Sequence, residues 1–207
     1  MSAETELAEV AREVKACTKC KLYQSAKQGV PGEGPANAEI MFIGEGPGFY
    51  EDQQGKPFVG PSGRFLEELL ASINLKRQDV FITNVVKHRP PENRDPEPDE
   101  IAACASFLDR QIAALQPKVI VTLGRYSMAR YFPNARITAI HGQARTVNGR
   151  VIVAMYHPAA GLRLESTRQA LIEDFKKLPQ LIAKAHAQRE SAPPEPEDKG
   201  PAQLSLF

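Results

Sequence analysis

Four consecutive apolar residues, Ile40-Met41-Phe42-Ile43, run directly into Gly44-Glu45-Gly46-Pro47-Gly48. A short apolar run closed by turn residues predicts a buried strand. The glycine loop that follows would leave the carboxyl end of that strand, where open α/β sheets bind their ligands. Its glycines let the backbone approach a flat ligand closely. The spacing is G-x-G-x-G, not the G-x-G-x-x-G of dinucleotide sites. Taken alone, the loop is therefore better read as a tight strand-to-helix turn with solvated acids.

The rest of the chain repeats the pattern. Further strands are predicted at 80–86, 119–123 and 151–155, with Asn148-Gly149 as a hairpin turn before the last. Helical spacing of apolar residues predicts helices at about 3–17, 99–115, 127–132 and 166–185. Ser62 is the expected N-cap of another helix, carrying Phe65, Leu66, Leu69, Leu70 and Ile73, and Asp99 the expected cap of the 99–115 helix. Strands alternating with helices predict an α/β fold with a mainly parallel sheet, covered on both faces. Residues 1–186 form the expected domain. Residues 187–207 are rich in Pro, Glu, Lys and Ser and are expected to remain a disordered tail.

A net charge of +1 across 207 residues excludes a strongly basic nucleic-acid coat, so polyanion binding would need a local patch. No apolar run is long enough to span a membrane, and the acidic N-terminus lacks a signal-like core, so a cytoplasmic location is expected. The three cysteines are an odd number, which argues against a disulfide framework. Cys17 and Cys20 form a C-x-x-C, and Cys104 lies on the 99–115 helix. With His88 as a fourth ligand, both a Cys3His zinc site and a 4Fe–4S cluster fit. A redox pair or unpaired thiols would explain the same cysteines without metal.

Glu45, Gly46, Asn84, Gly124 and His157 leave the carboxyl ends of predicted strands and so converge on one sheet edge, with Phe58 on a neighbouring loop. An aromatic face, an amide and an imidazole can hold a nucleobase by stacking and edge hydrogen bonds. Each residue taken singly is explained as well by turn, cap or core duty.

The motifs C-T-K-C at 17–20, G-E-G-P-G-F-Y-E-D at 44–52, G-K-P-F-V-G-P-S-G at 55–63, I-T-N-V-V-K at 82–87, R-P-P-E-N-R-D-P at 89–96 and M-Y-H-P-A-A at 155–160 together resemble the iron–sulfur, family 4 uracil-DNA glycosylases. The resemblance implies a three-layer α/β/α sandwich and hydrolysis of the N-glycosidic bond of uracil in DNA. It implies Phe58 stacked on a flipped uracil, Asn84 on its O4 and N3 edge, Glu51 against C5 to exclude thymine, and His157 donating to O2. Glu45 and Gly46 would line the pocket through backbone groups, and Asn93 would support the sugar or the attacking water. Ser62 would help hold a phosphate, and Leu162 or Arg163 would wedge into the gap left by the base. Gly46 stands where related glycosylases can carry a water-activating carboxylate, so more of the catalysis would fall to His157.

The family usually has a cysteine where this chain has His88. A related subgroup with histidine there becomes cross-linked to DNA, but the basic insertion that accompanies it is missing from residues 89–96, so ordinary turnover is expected. The alternatives are a non-catalytic or covalently trapping uracil-DNA binder, and an electron-transfer protein. A 4Fe–4S cluster is favoured over zinc, with a structural role. Gln203, Leu204, Leu206 and Phe207 resemble a bacterial sliding-clamp-binding peptide, and the protein is expected to be a monomer.

Overall fold

The computed structural model describes residues 2–190; the clamp-like residues 203–207 lie outside them. Five strands form one sheet: β1 (Ile40–Gly44), β2 (Phe81–Asn84), β3 (Val119–Leu123), β4 (Ala144–Val147) and β5 (Arg150–Met155). Their order is β2-β1-β3-β5-β4. All neighbours are parallel except the β4–β5 hairpin, whose turn residues Asn148 and Gly149 both have positive φ, as a tight two-residue turn requires.

Alternation along the strands divides the core. Phe42, Val121 and Val153 face α3 (Pro61–Ala71) and α8 (Glu165–Glu190), through Phe65, Leu66, Leu69, Leu171, Phe175 and Leu178. Met41, Ile43, Ile120 and Ile152 face α4 (Pro98–Leu115), through Cys104, Leu108 and Ile112. Helix α1 (Ala3–Lys15) packs outside α4, where Arg110 bonds both Glu6 and Glu13. The result is the expected three-layer α/β/α arrangement.

Register fixes the working edge. Gly44 pairs with Asn84 at the ends of β1 and β2, and Leu123 pairs with Met155 at the ends of β3 and β5. The loops after these four strands therefore leave from the same side.

Several local expectations are corrected. The cap of α3 is Gly60, not Ser62. Pro61, which has no N–H to satisfy, takes the first helical position and leaves Ser62 second. Glu97, not Asp99, caps α4, because Pro98 begins the helix and Glu97 and Glu100 form a reciprocal capping box. Two short helices, α2 (Phe49–Gln54) and α6 (Ile137–Ile140), were not expected from periodicity, being too short to display it. The helix expected at 127–132 starts earlier, as α5 (Arg125–Ala129). Helix α7 (Pro158–Arg163) precedes α8, which continues past residue 186 to Glu190.

Candidate active site

The loops at this edge enclose a cavity of about 650 Å³. Glu45, Gly46, Glu51, Phe58, Ser62, Asn84, Asn93, His157 and Arg163 all line it. Nine of the residues singled out in the sequence thus meet in one place. Leu162 does not line the cavity; it stands exposed beside it, next to the lining residues Arg163 and Leu164.

Asn84 ends β2 with its side chain buried. Its Oδ1 has no hydrogen-bond partner, although a buried carbonyl oxygen normally has one. Lining the cavity, this amide is set to accept a hydrogen bond from a bound molecule. Gly44, its partner across the strands, makes the arrangement possible. A Cβ there would lie 2.4 Å from Asn84 Oδ1 and 2.7 Å from the Phe58 ring. The missing side chain makes room for two walls of the cavity.

The other loop glycines work in the same way. A Cβ on Gly46 would meet Val86 at 2.8 Å, and one on Gly48 would meet Glu51 Oε2 at 2.8 Å. Glycine-rich spacing thus provides clearance for protein side chains that shape the pocket. Glu51 is itself fixed: its Oε1 accepts from the backbone N–H of Val59 at 2.9 Å and of Gly60 at 2.8 Å.

Phe58 is buried and held at φ 50°, a conformation that a non-glycine residue adopts at a cost of about 1–3 kcal/mol. Arg77 holds it there, donating to the carbonyls of Phe58, at 2.8 Å, and Pro57. Gly63 lets the Phe58 carbonyl pass, since a Cβ would sit 2.0 Å from it. The Phe58 ring stacks on His157 with centroids 5.4 Å apart.

His157 caps α7. Its Nδ1 accepts from the Ala159 backbone N–H at 3.1 Å. An accepting Nδ1 carries no proton, so the neutral ring bears its hydrogen on Nε2. Burial, reinforced by the charge of Arg163, pushes its pKa down to about 4. At neutral pH the ring is therefore an uncharged donor. Burial raises the Glu45 pKa, against the backbone N–H groups of Tyr126 and Arg125 that bind its carboxylate. Gly124, at φ +97°, leaves the space for that carboxylate.

The loop carrying Asn93 is tied down. Asn93 Oδ1 accepts from Arg89 Nε at 2.8 Å. Arg94 grips the fully buried Glu100 with both terminal nitrogens, at 2.9 and 2.6 Å. Lys21, one residue past the C-x-x-C, bonds Glu97 at 2.5 Å and links the cysteine segment to this loop.

Cys104 is buried, while Cys17 and Cys20 are half-buried. Burial raises the Cys104 thiol pKa, and the nearby Cys20 and Cys17 add to the effect, so the three sulfurs lie close enough to sense one another. Burial lowers the His88 pKa, and the charge opposing this comes from Asp52. Among the described residues, no three His, Cys, Asp or Glu side chains converge as ligands of a single metal ion. A multi-iron cluster needs donors set wider apart than one ion does. Three neighbouring thiols are chemically suited to ligating one, with the buried His88, which precedes α4, as the candidate fourth donor.

Other residues here were not singled out in the sequence. Tyr156 lines the cavity and packs on His141 at 4.6 Å, and His141 bonds the buried Asp174 at 2.7 Å. The signal for Asp174 was an acid within the apolar stripe of α8. Lys87 is fully buried, donating to Thr83 Oγ1, Gln111 Oε1 and the Asn84 carbonyl at 2.7–2.8 Å; burial brings its pKa down to about 7.

Comparison with known proteins agrees with this geometry. The family model described as the uracil DNA glycosylase superfamily matches residues 31–178. A type-4 uracil-DNA glycosylase of Sulfurisphaera tokodaii is 48% identical over 185 residues, covering 84% of each chain. One from Archaeoglobus fulgidus is 44% identical, covering 86% of this chain and 94% of its own. One from Thermotoga maritima is 40% identical, covering 89% and 99%.

Proposed function

The chain belongs to the uracil-DNA glycosylase superfamily, among the type-4 enzymes, and from this we propose that it excises uracil from DNA by hydrolysing the N-glycosidic bond, leaving an abasic site. The observation that carries the reading is an unsatisfied acceptor and an oriented donor lining one cavity. Asn84 Oδ1 is a buried acceptor without a donor, and His157 Nε2 is a donor at the opposite tautomeric end of a neutral ring. Uracil presents an N3–H and carbonyl oxygens to match them.

Uracil leaves as an anion, so the catalyst must stabilise charge that develops on the base while keeping the pocket dry. A neutral His157 donates to O2 as that charge builds. It loses no proton of its own, and its Ala159 bond keeps Nε2 aimed. Phe58 stacks on the base and Asn84 reads its O4 and N3 edge. Glu51, locked by two backbone amides, stands against C5, where thymine carries its methyl group. Asn93 supports the sugar or the attacking water, and the carboxyl of Glu45 is kept to the Gly124 turn while its backbone lines the pocket beside Gly46. Ser62 and the start of α3 offer a phosphate site. Leu162 or Arg163 fills the gap left by the flipped base.

Cys17, Cys20, Cys104 and His88 would hold a 4Fe–4S cluster. Held there, it would tie the segment carrying Cys17 and Cys20 to α4 and to the loop after His88, a structural role outside the hydrolysis. The terminal residues Gln203, Leu204, Leu206 and Phe207 would bind a sliding clamp, a contact that deleting them should abolish without altering excision. The protein would act as a monomer.

Incubation with a uracil-containing oligonucleotide, followed by alkali, tests the activity: strand scission at the uracil position is expected. An intact strand at stoichiometric protein would overturn the reading. A brown preparation containing iron supports the cluster; a colourless, zinc-containing protein prepared anaerobically refutes it.

A further inference from the structure

Five large apolar side chains are the most exposed among the described residues, and four of them border the cavity. Leu162 and Leu164 flank the lining residue Arg163. Phe49 and Tyr50 stand elsewhere on the rim, between the lining residues Gly48 and Glu51. The proposed excision chemistry uses Leu162 of the first pair and leaves Phe49 and Tyr50 without a role.

Phe49 is 50% exposed and Tyr50 51%. Their rings meet edge to face, with centroids 5.5 Å apart and planes at 85°. Two rings at that angle form a corner, and each keeps about half of its surface in solvent. Burying these rings would be favourable, so leaving both open on the rim of a cleft marks a contact surface.

Charge favours a nucleic acid as the occupant. The Arg89 guanidinium lies 5.2 Å from the Phe49 ring centroid. Arg89 donates from Nε to the neutral Asn93 Oδ1, a bond that leaves its positive charge uncompensated. On the other flank, Tyr50 touches the start of α3: a Cβ on Gly60 would meet the Tyr50 ring at 3.0 Å. Tyr50 therefore lies beside the start of α3, proposed above with Ser62 as a phosphate site. A base-stacking surface, a cation without an ion pair and the proposed phosphate site are the elements that single-strand binding surfaces combine.

We infer that Phe49 and Tyr50 form a stacking platform for an unpaired base flanking the uracil on the same strand, with Arg89 attracting the backbone. The platform rests on the uracil-excision reading for its place in the reaction. A base in a duplex is already stacked and paired, so the platform favours single-stranded substrates.

The test compares wild type with the Phe49→Ala/Tyr50→Ala double variant on one uracil oligonucleotide, single-stranded and annealed. Stacking of a base on an aromatic side chain contributes about 1–3 kcal/mol, so the single-strand KM should rise roughly tenfold or more relative to the duplex KM. Equal changes on the two substrates, or none, would overturn the platform. A second measurement does not depend on catalysis. A uracil-free single strand carrying a fluorescent purine analogue should be quenched on binding wild type and much less on binding the double variant; equal quenching refutes the platform. If wild type releases no uracil from either substrate, the excision reading falls, and the quenching comparison still decides the platform.

Discussion

The backbone N–H of Ala159 donates to Nδ1 of His157, and this bond decides which ring nitrogen faces the cavity with a proton. A protonated His157 would have to break it, because both nitrogens would then be donors.

Activity should therefore follow the neutral ring. With the pKa of His157 near 4, kcat/KM should stay level as the solution is acidified until within about one unit of that value, then fall. Stability follows the same group. The unfolded histidine takes up its proton near 6.5 and the folded one near 4, so between those values the unfolded state binds more protons. The contribution is complete above 6.5 and is lost as the pH falls towards 4. Denaturant titrations across that range should show a slope that His157→Gln removes.

Asn84 should show opposite effects on stability and function. Its Oδ1 is buried without a partner, at a cost of about 1–3 kcal/mol. Asn84→Ala removes that orphan acceptor, so its thermal midpoint should equal or exceed that of wild type. Uracil excision should fall about a hundredfold, as expected for losing two hydrogen bonds to the base. A large drop in the midpoint would mean that the amide serves the fold and not the ligand.

Glu51 should couple the two properties in the other direction. Its Oε1 satisfies the N–H groups of Val59 and Gly60, so Glu51→Ala should cost about 2–4 kcal/mol by leaving both unpaired. The same truncation opens the wall proposed to face C5. Activity on a thymine-containing oligonucleotide, relative to uracil, should rise. Glu51→Gln keeps an acceptor and the bulk, and should restore most of the stability and the discrimination.

How far the sequence foretold the site depended on what kind of interaction was involved. Apolar periodicity and strand ends were sufficient to bring Glu45, Asn84 and His157 to one edge, because parallel strands put their carboxyl ends together whatever the details. The cap positions were missed because Ser62 and Asp99 have strong capping side chains. The prolines at 61 and 98 move each helix start earlier, and only the capping partners of Glu97 reveal that. Lys87 carries no sequence signal beyond its place in the I-T-N-V-V-K motif, since nothing local announces that Thr83, Gln111 and a carbonyl will enclose its ammonium group. The meaning of the loop glycines also depended on tertiary contacts: what fills the space beside each Cα lies far away in the chain.

Gly46 gives the sharpest test of that point. A Cβ there would lie 2.8 Å from Val86 Cγ2, whereas the nearest Pro90 atom is 3.6 Å away. Val86 is buried, and a β-branched side chain has little rotamer freedom with which to retreat. Gly46→Ala should therefore destabilise the protein by about 1–3 kcal/mol, as overpacking does. Val86→Ala alone should cost a similar amount by leaving a cavity. Because the two changes fill and empty the same space, the double variant should be more stable than the sum of the single effects predicts, by about 1 kcal/mol or more. Chemical denaturation of the four proteins in the cycle measures this directly. Strict additivity would show that the space beside Gly46 is not set by Val86, and that the glycine serves the ligand instead.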